Sequence, residues 1–374
     1  MQALTFHSPY TIIHTSASRP RLCSPTDAIV RIRFAGLCGS DLHIYRGTEP
    51  GPDRGTVMGH EFMGVVAEVG SKVVGINVGD RVGGAFTTCC GECYYCTHSL
   101  SSRCINGLLL GYVSSSVGLH GTQCEYVLIP NASSSLFTCP PLISDIETLL
   151  LGDVLTTGYH CALNGVENVY GFRKEPMDEE TASAKQRELN RKAELVVIVL
   201  GCGPVGLMAV VSALYLGVGK VIAVDMVEER VQMARMYGAE GARPDAVRDA
   251  VRNCTDGRGA DVILEAVGNN SALSLALELV RPGGVISSVG VNNSDTFPFN
   301  PTSAYNKNVT FKTGRCPVMS LLPQVMPLVL SKKYDLEKII THRMKLSDGN
   351  KAYEMFDKKT NACIKVVFEV GVEE

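Results

Sequence analysis

The sequence predicts an α/β protein of two domains, a doubly wound parallel sheet joined to a mainly β body. Three observations carry this. From Glu194 onward, short and wholly apolar segments alternate with amphipathic ones, the pattern of a parallel sheet covered by helices on both faces. From "DAIVRIRFAGLCG" to "GTQCEYVLIP" the chain is instead rich in glycine, Val-Ile runs and turn residues, which suits short strands and loops. A length of 374 residues also fits two cores better than one.

Taken in order, the second domain reads as strand "ELVVIVLG", helix "PVGLMAVVSALYLG", strand "KVIAVD" and helix "VEERVQMARMYG". Strand "ADVILEAVG", helix "SALSLALELV" and strands "GVISSVGV" and "NVTFKTG" follow. The tail from about Pro317 reads as a helix, "SLLPQVMPLVLSKK", and a closing strand, "ACIKVVFEV". Between Tyr170 and Arg191 the chain is charged and almost without large apolar residues, the composition of a solvated surface insertion.

Composition narrows the class. Net charge is −3 and no basic stripe appears, so nucleic acid is a poor candidate partner. The start, "MQALTFHSPYTII", lacks the basic and apolar regions of a signal peptide, and no apolar run reaches the roughly 18 residues of a membrane helix. The expectation is a cytoplasmic, reducing setting, in which the 14 cysteines are metal ligands or free thiols rather than disulfides.

"VIVLGCGPVGL" places Gly201, Gly203 and Gly206 in G-x-G-x-x-G spacing, after a strand and opening a helix at Pro204 and Val205. The first glycine permits the tight turn, the second a close approach of backbone to a diphosphate, the third close helix packing. Asp225 ends the next strand, where an acid is wanted for ribose hydroxyls. A carboxylate there repels a 2′-phosphate, so NAD is favoured over NADP, although Arg230 is a cation nearby.

Two clusters suggest metal. Cys90, Cys93, Cys96 and Cys104 form C-x-x-C-x-x-C-x7-C, a spacing that favours a closed zinc site over disulfides; Cys89 is the spare. Cys38 and His60 lie in the glycine-rich turns "GLCGSDLH" and "GHE" and offer sulfur and nitrogen, donors zinc accepts.

At these residues the chain resembles the zinc-dependent medium-chain alcohol dehydrogenases, and the resemblance runs nearly end to end. It is carried by C-G-S-D-x-H (Cys38 to His43), G-H-E (Gly59 to Glu61), V-G-D-R-V (Val78 to Val82), the cysteine spacing and G-C-G-P-V-G (Gly201 to Gly206). The resemblance implies a GroES-like catalytic domain over 1–160 with a structural zinc lobe near 89–104, a Rossmann NAD-binding domain over 161–316, and a segment 317–374 returning to the first. It implies two zinc ions per chain: a structural one on the four cysteines and a catalytic one on Cys38, His60 and Asp153, with Glu61 approaching transiently. The aspartate in D-x-x-x-T-G-Y-H is similar to the formaldehyde dehydrogenase-like and secondary-alcohol branch, and Cys161 is too far along to replace it.

The implied reaction is reversible oxidation of a primary or secondary alcohol to an aldehyde or ketone, the alcohol losing its proton to become an alkoxide on zinc and a hydride to NAD. Ser40 would take the proton and pass it by the cofactor ribose to His43, Asp41 would orient the ligand histidine, Thr157 would lie against the nicotinamide and Val289 to Val291 behind it. The expected assembly is a homodimer or homotetramer. Tyr45, Tyr112 and His120 are expected pocket walls. Rival readings are a polyol, sorbitol or threonine-type dehydrogenase, a formaldehyde dehydrogenase, a zinc-ribbon binding protein and a silent scaffold.

Overall fold

The computed structural model describes residues 1–49, 52–169 and 189–371. The charged stretch expected at 170–191 therefore falls almost wholly outside the described residues. The chain divides into two compact units, Met1–Thr156 with Pro317–Glu374, and Thr157–Cys316. No helix among the described residues is long and apolar enough to cross a membrane.

In the first unit a seven-stranded sheet is organised by its longest strand, Ala28–Leu37. That strand pairs antiparallel with Glu61–Val69 and Tyr126–Ile129, and also with Lys365–Glu369 from the far end of the chain. Arg81–Gly84 and Leu136–Thr138 continue one side, and Ile340–Lys345 closes the other. Pairing sets Gly36 opposite Glu61 and Leu37 opposite Val366, so three separated segments end side by side. Phe62, Met63, Phe368 and Tyr353 are among the side chains wholly buried here.

The second unit is a six-stranded parallel sheet. Its spatial order is Glu240–Ala242, Lys220–Val224, Val196–Leu200, Ala260–Glu265, Val280–Ser288, Thr310–Thr313. Val196–Leu200 is buried at every position, as an apolar strand with helices on both faces must be. Helix Pro204–Tyr215 starts with proline in its first turn, where the missing N–H costs nothing. The strand expected over "GVISSVGV" begins earlier, at Val280, and stops at Ser288, so Val289 to Val291 continue past the strand end as loop. The tail helix spans Val318–Leu330 despite Pro323 and Pro327; its apolar face, with Leu321, Leu322, Val325, Leu328 and Val329 buried, outweighs the two breakers.

Helix Asp145–Leu151 delivers the chain to Asp153 and is closed at its start by a reciprocal cap. Ser144 Oγ accepts from the Glu147 N–H at 3.0 Å, and Glu147 Oε2 accepts from the Ser144 N–H at 2.9 Å. Ser144 Oγ–H in turn donates to Glu337 at 2.6 Å. Replacing Ser144 by alanine should cost about 1 kcal/mol. The expected result is a melting temperature below that of wild type for Ser144→Ala and close to wild type for Ser144→Thr.

Candidate metal centre and coenzyme turn

Cys38 leaves the end of strand Ala28–Leu37, and the chain turns at once into helix Asp41–Arg46. The turn is tied by the Cys38 N–H, which donates to Asp41 Oδ2 at 3.0 Å. His60 follows Gly59, whose φ of 88° is open only to glycine at little cost, and a Cβ there would also collide with the Gln123 side chain. Asp153 lies just past Gly152, after the capped helix.

These turns bring one ligand atom each from Cys38, His60, Glu61 and Asp153 within 4.8 Å of one another, all buried. Asp153 Oδ2 is 3.3 Å from His60 Nε2 and 3.5 Å from Cys38 Sγ. His60 Nδ1 faces Asp41 Oδ1 at 3.2 Å, so with Asp41 accepting the Nδ1 proton, Nε2 is free to face the other donors. Ser40 Oγ sits 3.3 Å from both Cys38 Sγ and His60 Nε2. The Phe86 ring meets His60 edge-on, with centroids 6.3 Å apart.

Electrostatics mark this as a place for a cation. Burial, followed by the Asp153 charge, pushes the Cys38 thiol up. Burial opposes a charged His60, yet Asp41 and Cys38 overcome it and hold the imidazole well above its ordinary value. Sulfur, imidazole nitrogen and carboxylate oxygen are the donors zinc takes, and three protein ligands with one side open is the pattern of a catalytic site.

Glu61 is held differently from the other three. Its carboxylate occupies the space that a side chain at Gly36 would fill, and it is bound by Lys365, which has no solvent exposure. The ammonium reaches Glu61 Oε1 at 2.6 Å and the Leu37 carbonyl at 2.9 Å. Burial raises the Glu61 carboxyl despite Lys365. Lys365 also stands above its ordinary value, because Glu61, Cys38 and Asp153 outweigh its burial, so the pair keeps its proton at neutral pH.

A buried hydrogen-bonded chain supports the same turns. Tyr353 donates to Gln123 Oε1 at 2.8 Å, and Gln123 Nε2 donates to the Gly36 carbonyl at 3.1 Å and lies 3.5 Å from Asp41 Oδ2. Sequence reasoning missed Lys365, Gln123, Tyr353 and Phe86. Only Lys365 left a trace, as a lysine inside the apolar run "ACIKVVFEV". Of the expected pocket walls, Tyr45 is buried between Tyr10 and Tyr353, and His120 Nδ1 accepts the Val57 N–H.

Cys90, Cys93, Cys96 and Cys104 form the second cluster, half-buried, reduced and likewise within 4.8 Å of one another. Backbone N–H groups of Cys96 and Ile105 bring the Cys93 thiol down to about 6, whereas burial pushes the Cys96 and Cys104 thiols up, so the four sulfurs do not ionise alike. Cys89 is outside this set though close to Cys96, and donates to the Ser134 carbonyl at 3.0 Å.

In the second unit Gly201, Gly203, Pro204, Val205 and Gly206 form the turn into helix Pro204–Tyr215, with Gly201 at φ 89°. A Cβ on Gly206 would overlap the Gly201 carbonyl oxygen. Asp225 Oδ2 accepts the Cys202 N–H at 2.8 Å and Oδ1 the Val227 N–H at 2.9 Å, which pins the acid against the turn. Arg230 is buried beside it, Nη1 3.9 Å from Asp225, with Nε lacking a hydrogen-bond partner among the described residues. Val289 and Val291 lie at the same end of the sheet, Val291 being 47% exposed. Thr157 belongs to this unit as well and is buried in helix Val154–Val166.

Comparisons with known proteins agree on the family. Residues 24–140 match the alcohol dehydrogenase GroES-like domain, and residues 204–331 match the zinc-binding dehydrogenase model. Zinc-type alcohol dehydrogenase B of Aspergillus flavus is 38% identical over 99% of this chain and 82% of its own length. The solved structure of alcohol dehydrogenase TADH from Thermus sp. ATN1 is 36% identical, covers 99% of this chain and 100% of its own, and superposes with a TM-score of 0.87. A protein named L-threonine 3-dehydrogenase from Francisella philomiragia is 29% identical over 92% of each chain.

Mass spectrometric metal analysis should find about two zinc ions per chain, as two separate donor sets of the kinds zinc takes require. Asp153→Ala and Cys104→Ala should each retain one, and retention of both by Asp153→Ala would remove that residue from the ligand set. Lys365→Met should destabilise the chain by about 3–5 kcal/mol, because a buried carboxylate loses its partner. Adding Glu61→Gln to that variant should recover most of the loss in a denaturant titration.

Proposed function

Since the chain belongs to the zinc-dependent medium-chain alcohol dehydrogenases, oxidoreductases acting on CH–OH groups, we propose that it interconverts a primary or secondary alcohol and its carbonyl, with NAD as the hydride acceptor. The observation that carries this reading is the convergence of Cys38 Sγ, His60 Nε2 and Asp153 Oδ2 beside a serine hydroxyl. Bound zinc supplies a Lewis acid that makes an alcohol proton labile, and the nicotinamide accepts the hydride.

The chain's own groups do the rest. Cys38, His60 and Asp153 would hold the metal, and Asp41 fixes the imidazole so that Nε2 faces it. Lys365 keeps Glu61 from being an unpaired buried charge. Cys90, Cys93, Cys96 and Cys104 would hold a second ion that pins their loop and takes no part in chemistry. Ser40, half-buried beside the ligands, receives the alcohol proton. His43 lies in the next helical turn, its N–H bonded to the Ser40 carbonyl at 3.1 Å, and is the proton's way out. Burial pushes the His43 imidazole below its ordinary value, so the ring is neutral at pH 7 and able to accept.

In the second unit the turn from Gly201 through Gly203, Pro204 and Val205 to Gly206 would cradle the diphosphate at a helix start. Asp225 would take the ribose hydroxyls with Arg230 beside it, and the acid favours NAD over NADP. Thr157, Val289 and Val291 would bound the nicotinamide. An amino-alcohol substrate is the second reading, favoured by the threonine dehydrogenase among the relatives.

Reduction of NAD followed side by side with propan-2-ol, sorbitol, threonine and formaldehyde should show the highest kcat/KM for a simple alcohol; a preference for threonine would favour the second reading. Ser40→Ala should lower kcat by about 10²-fold or more, in line with loss of a proton-transfer group. His43→Ala should cost only a few-fold, because buffer can replace an outer proton acceptor, and imidazole should restore it. As His43 works as the neutral base, protonation switches it off. Its acid limb should therefore lie below pH 6.5 and vanish in His43→Ala.

A further inference from the structure

Where the strands of a parallel sheet end, ligands bind, and the loops there must be held in register. Glu265 is the last residue of a central strand, paired with Leu200 on one side and Ser288 on the other, and it has no solvent exposure. Its side chain and carbonyl together accept five hydrogen bonds. Oε1 takes the N–H groups of Val267 at 2.8 Å and Gly268 at 2.7 Å; Oε2 takes the Ser288 hydroxyl at 2.6 Å. The backbone carbonyl takes the N–H of Val289 at 2.9 Å and of Gly290 at 3.3 Å. Among the described residues the carboxylate has no ion-pair partner, so these donors are what keep a buried anion in place.

The segments so joined touch one another and the glycine turn. A Cβ at Gly201 would meet Val267 Cγ2 at 2.7 Å, one at Gly268 would overlap the Val291 backbone, and one at Gly290 would overlap Gly268. Val267 and Val291 are left with 45% and 47% of their surface exposed on this rim. We propose that Glu265 is a positioning residue for the coenzyme, setting the loops 266–268 and 289–291 against the Gly201 turn so that their exposed valines are presented to the bound dinucleotide. This rests on the reading of that turn as the coenzyme site. The side chain must end in a polar group, because the Val267 and Gly268 N–H groups both point at Oε1. An apolar side chain of similar size would leave both unpaired, whereas an amide could keep them and donate to Ser288 Oγ, which can also accept.

NADH fluorescence titration of zinc-loaded enzyme tests this. Glu265→Gln should stay nearer to wild type, while Glu265→Leu should weaken NADH about tenfold, the scale of one or two lost hydrogen bonds. KM for NAD should rise in parallel, while kcat at saturating NAD, KM for the alcohol and zinc content stay near wild type. Ser288→Ala removes one donor without orphaning another, and should weaken NADH about threefold in the same direction. It carries the test if the leucine variant does not fold. Unchanged NADH affinity in the folded leucine and alanine variants, even with a lowered melting temperature, would reduce Glu265 to a structural group and overturn the proposal. Failure of wild type to bind NADH or NADPH at all would overturn the coenzyme reading and this one with it.

Discussion

A lysine without solvent exposure holds the metal-binding end of the first unit together. Lys365 opens the strand that brings the chain's far end back, and its ammonium spans that strand, the Leu37 carbonyl and the Glu61 carboxylate. Cys38 follows Leu37 directly and His60 precedes Glu61 directly, so the two segments it clamps are two of the three that carry the proposed ligands. Breaking one half of such a pair leaves a bare charge in a low-dielectric interior, which is far costlier than never having built it. Gly36 is the backbone half of the arrangement, since any side chain there would displace the carboxylate. The return of the tail to the first sheet is thus tied to the centre itself, not only to strand pairing.

Tyr353 and Gln123 extend the same logic. Tyr353 comes from helix Gly349–Lys358, again in the returning segment, and its hydroxyl satisfies a glutamine that touches Gly59 and approaches Asp41. Burial and the nearby Asp41 charge hold the tyrosine pKa well above its ordinary value, so it stays a donor. A fully satisfied buried network fixes one geometry, whereas a partly satisfied one would be worse than an apolar core. The imidazole orientation at His60 therefore depends on residues nearly three hundred positions away in sequence.

That separation explains what could be read from the sequence. Chemistry confined to a short stretch was legible: glycines at 201, 203 and 206 with an acid at 225, cysteines at 90, 93, 96 and 104, and the alternation that builds the parallel sheet. Each reports a local constraint, a positive φ, a ligand spacing or a periodicity. Cys38, His60 and Asp153 were legible as a group only through resemblance, because nothing local says that three turns meet. Tyr353 and Gln123 were invisible for the same reason, being partners across the fold, and Lys365 showed only as a lysine in an apolar run with no sign of its partner. Phe86 carries no polar signal at all. The end of the strand at Ser288 was missed because "VGV" continues an apolar run, while hydrogen bonds from Val289 and Gly290 to the Glu265 carbonyl turn the chain out of the ladder.

The two metal centres differ in a way that charge accounts for. Under the proposed ligand sets the buried centre offers one thiolate, one carboxylate and a neutral imidazole, two negative charges that a dication cancels; Glu61 is already cancelled by Lys365, and Asp41 remains as one buried negative charge. The ligand set is then neutral, and a low-dielectric interior tolerates the one remaining charge because the His60 ring and the Cys38 N–H donate to it. Four thiolates around a dication leave a net negative charge, and that cluster is accordingly half-buried, with backbone N–H groups directed at its sulfurs. Had the third ligand of the buried centre been a second thiolate, the count would be the same. An aspartate changes the hardness of the donor and not the balance, so the surrounding network needs no further charge to accept it. The remaining carboxylate, Asp41, is fully committed to the His60 ring and the Cys38 N–H, and so acts on the metal only through the ligands it holds.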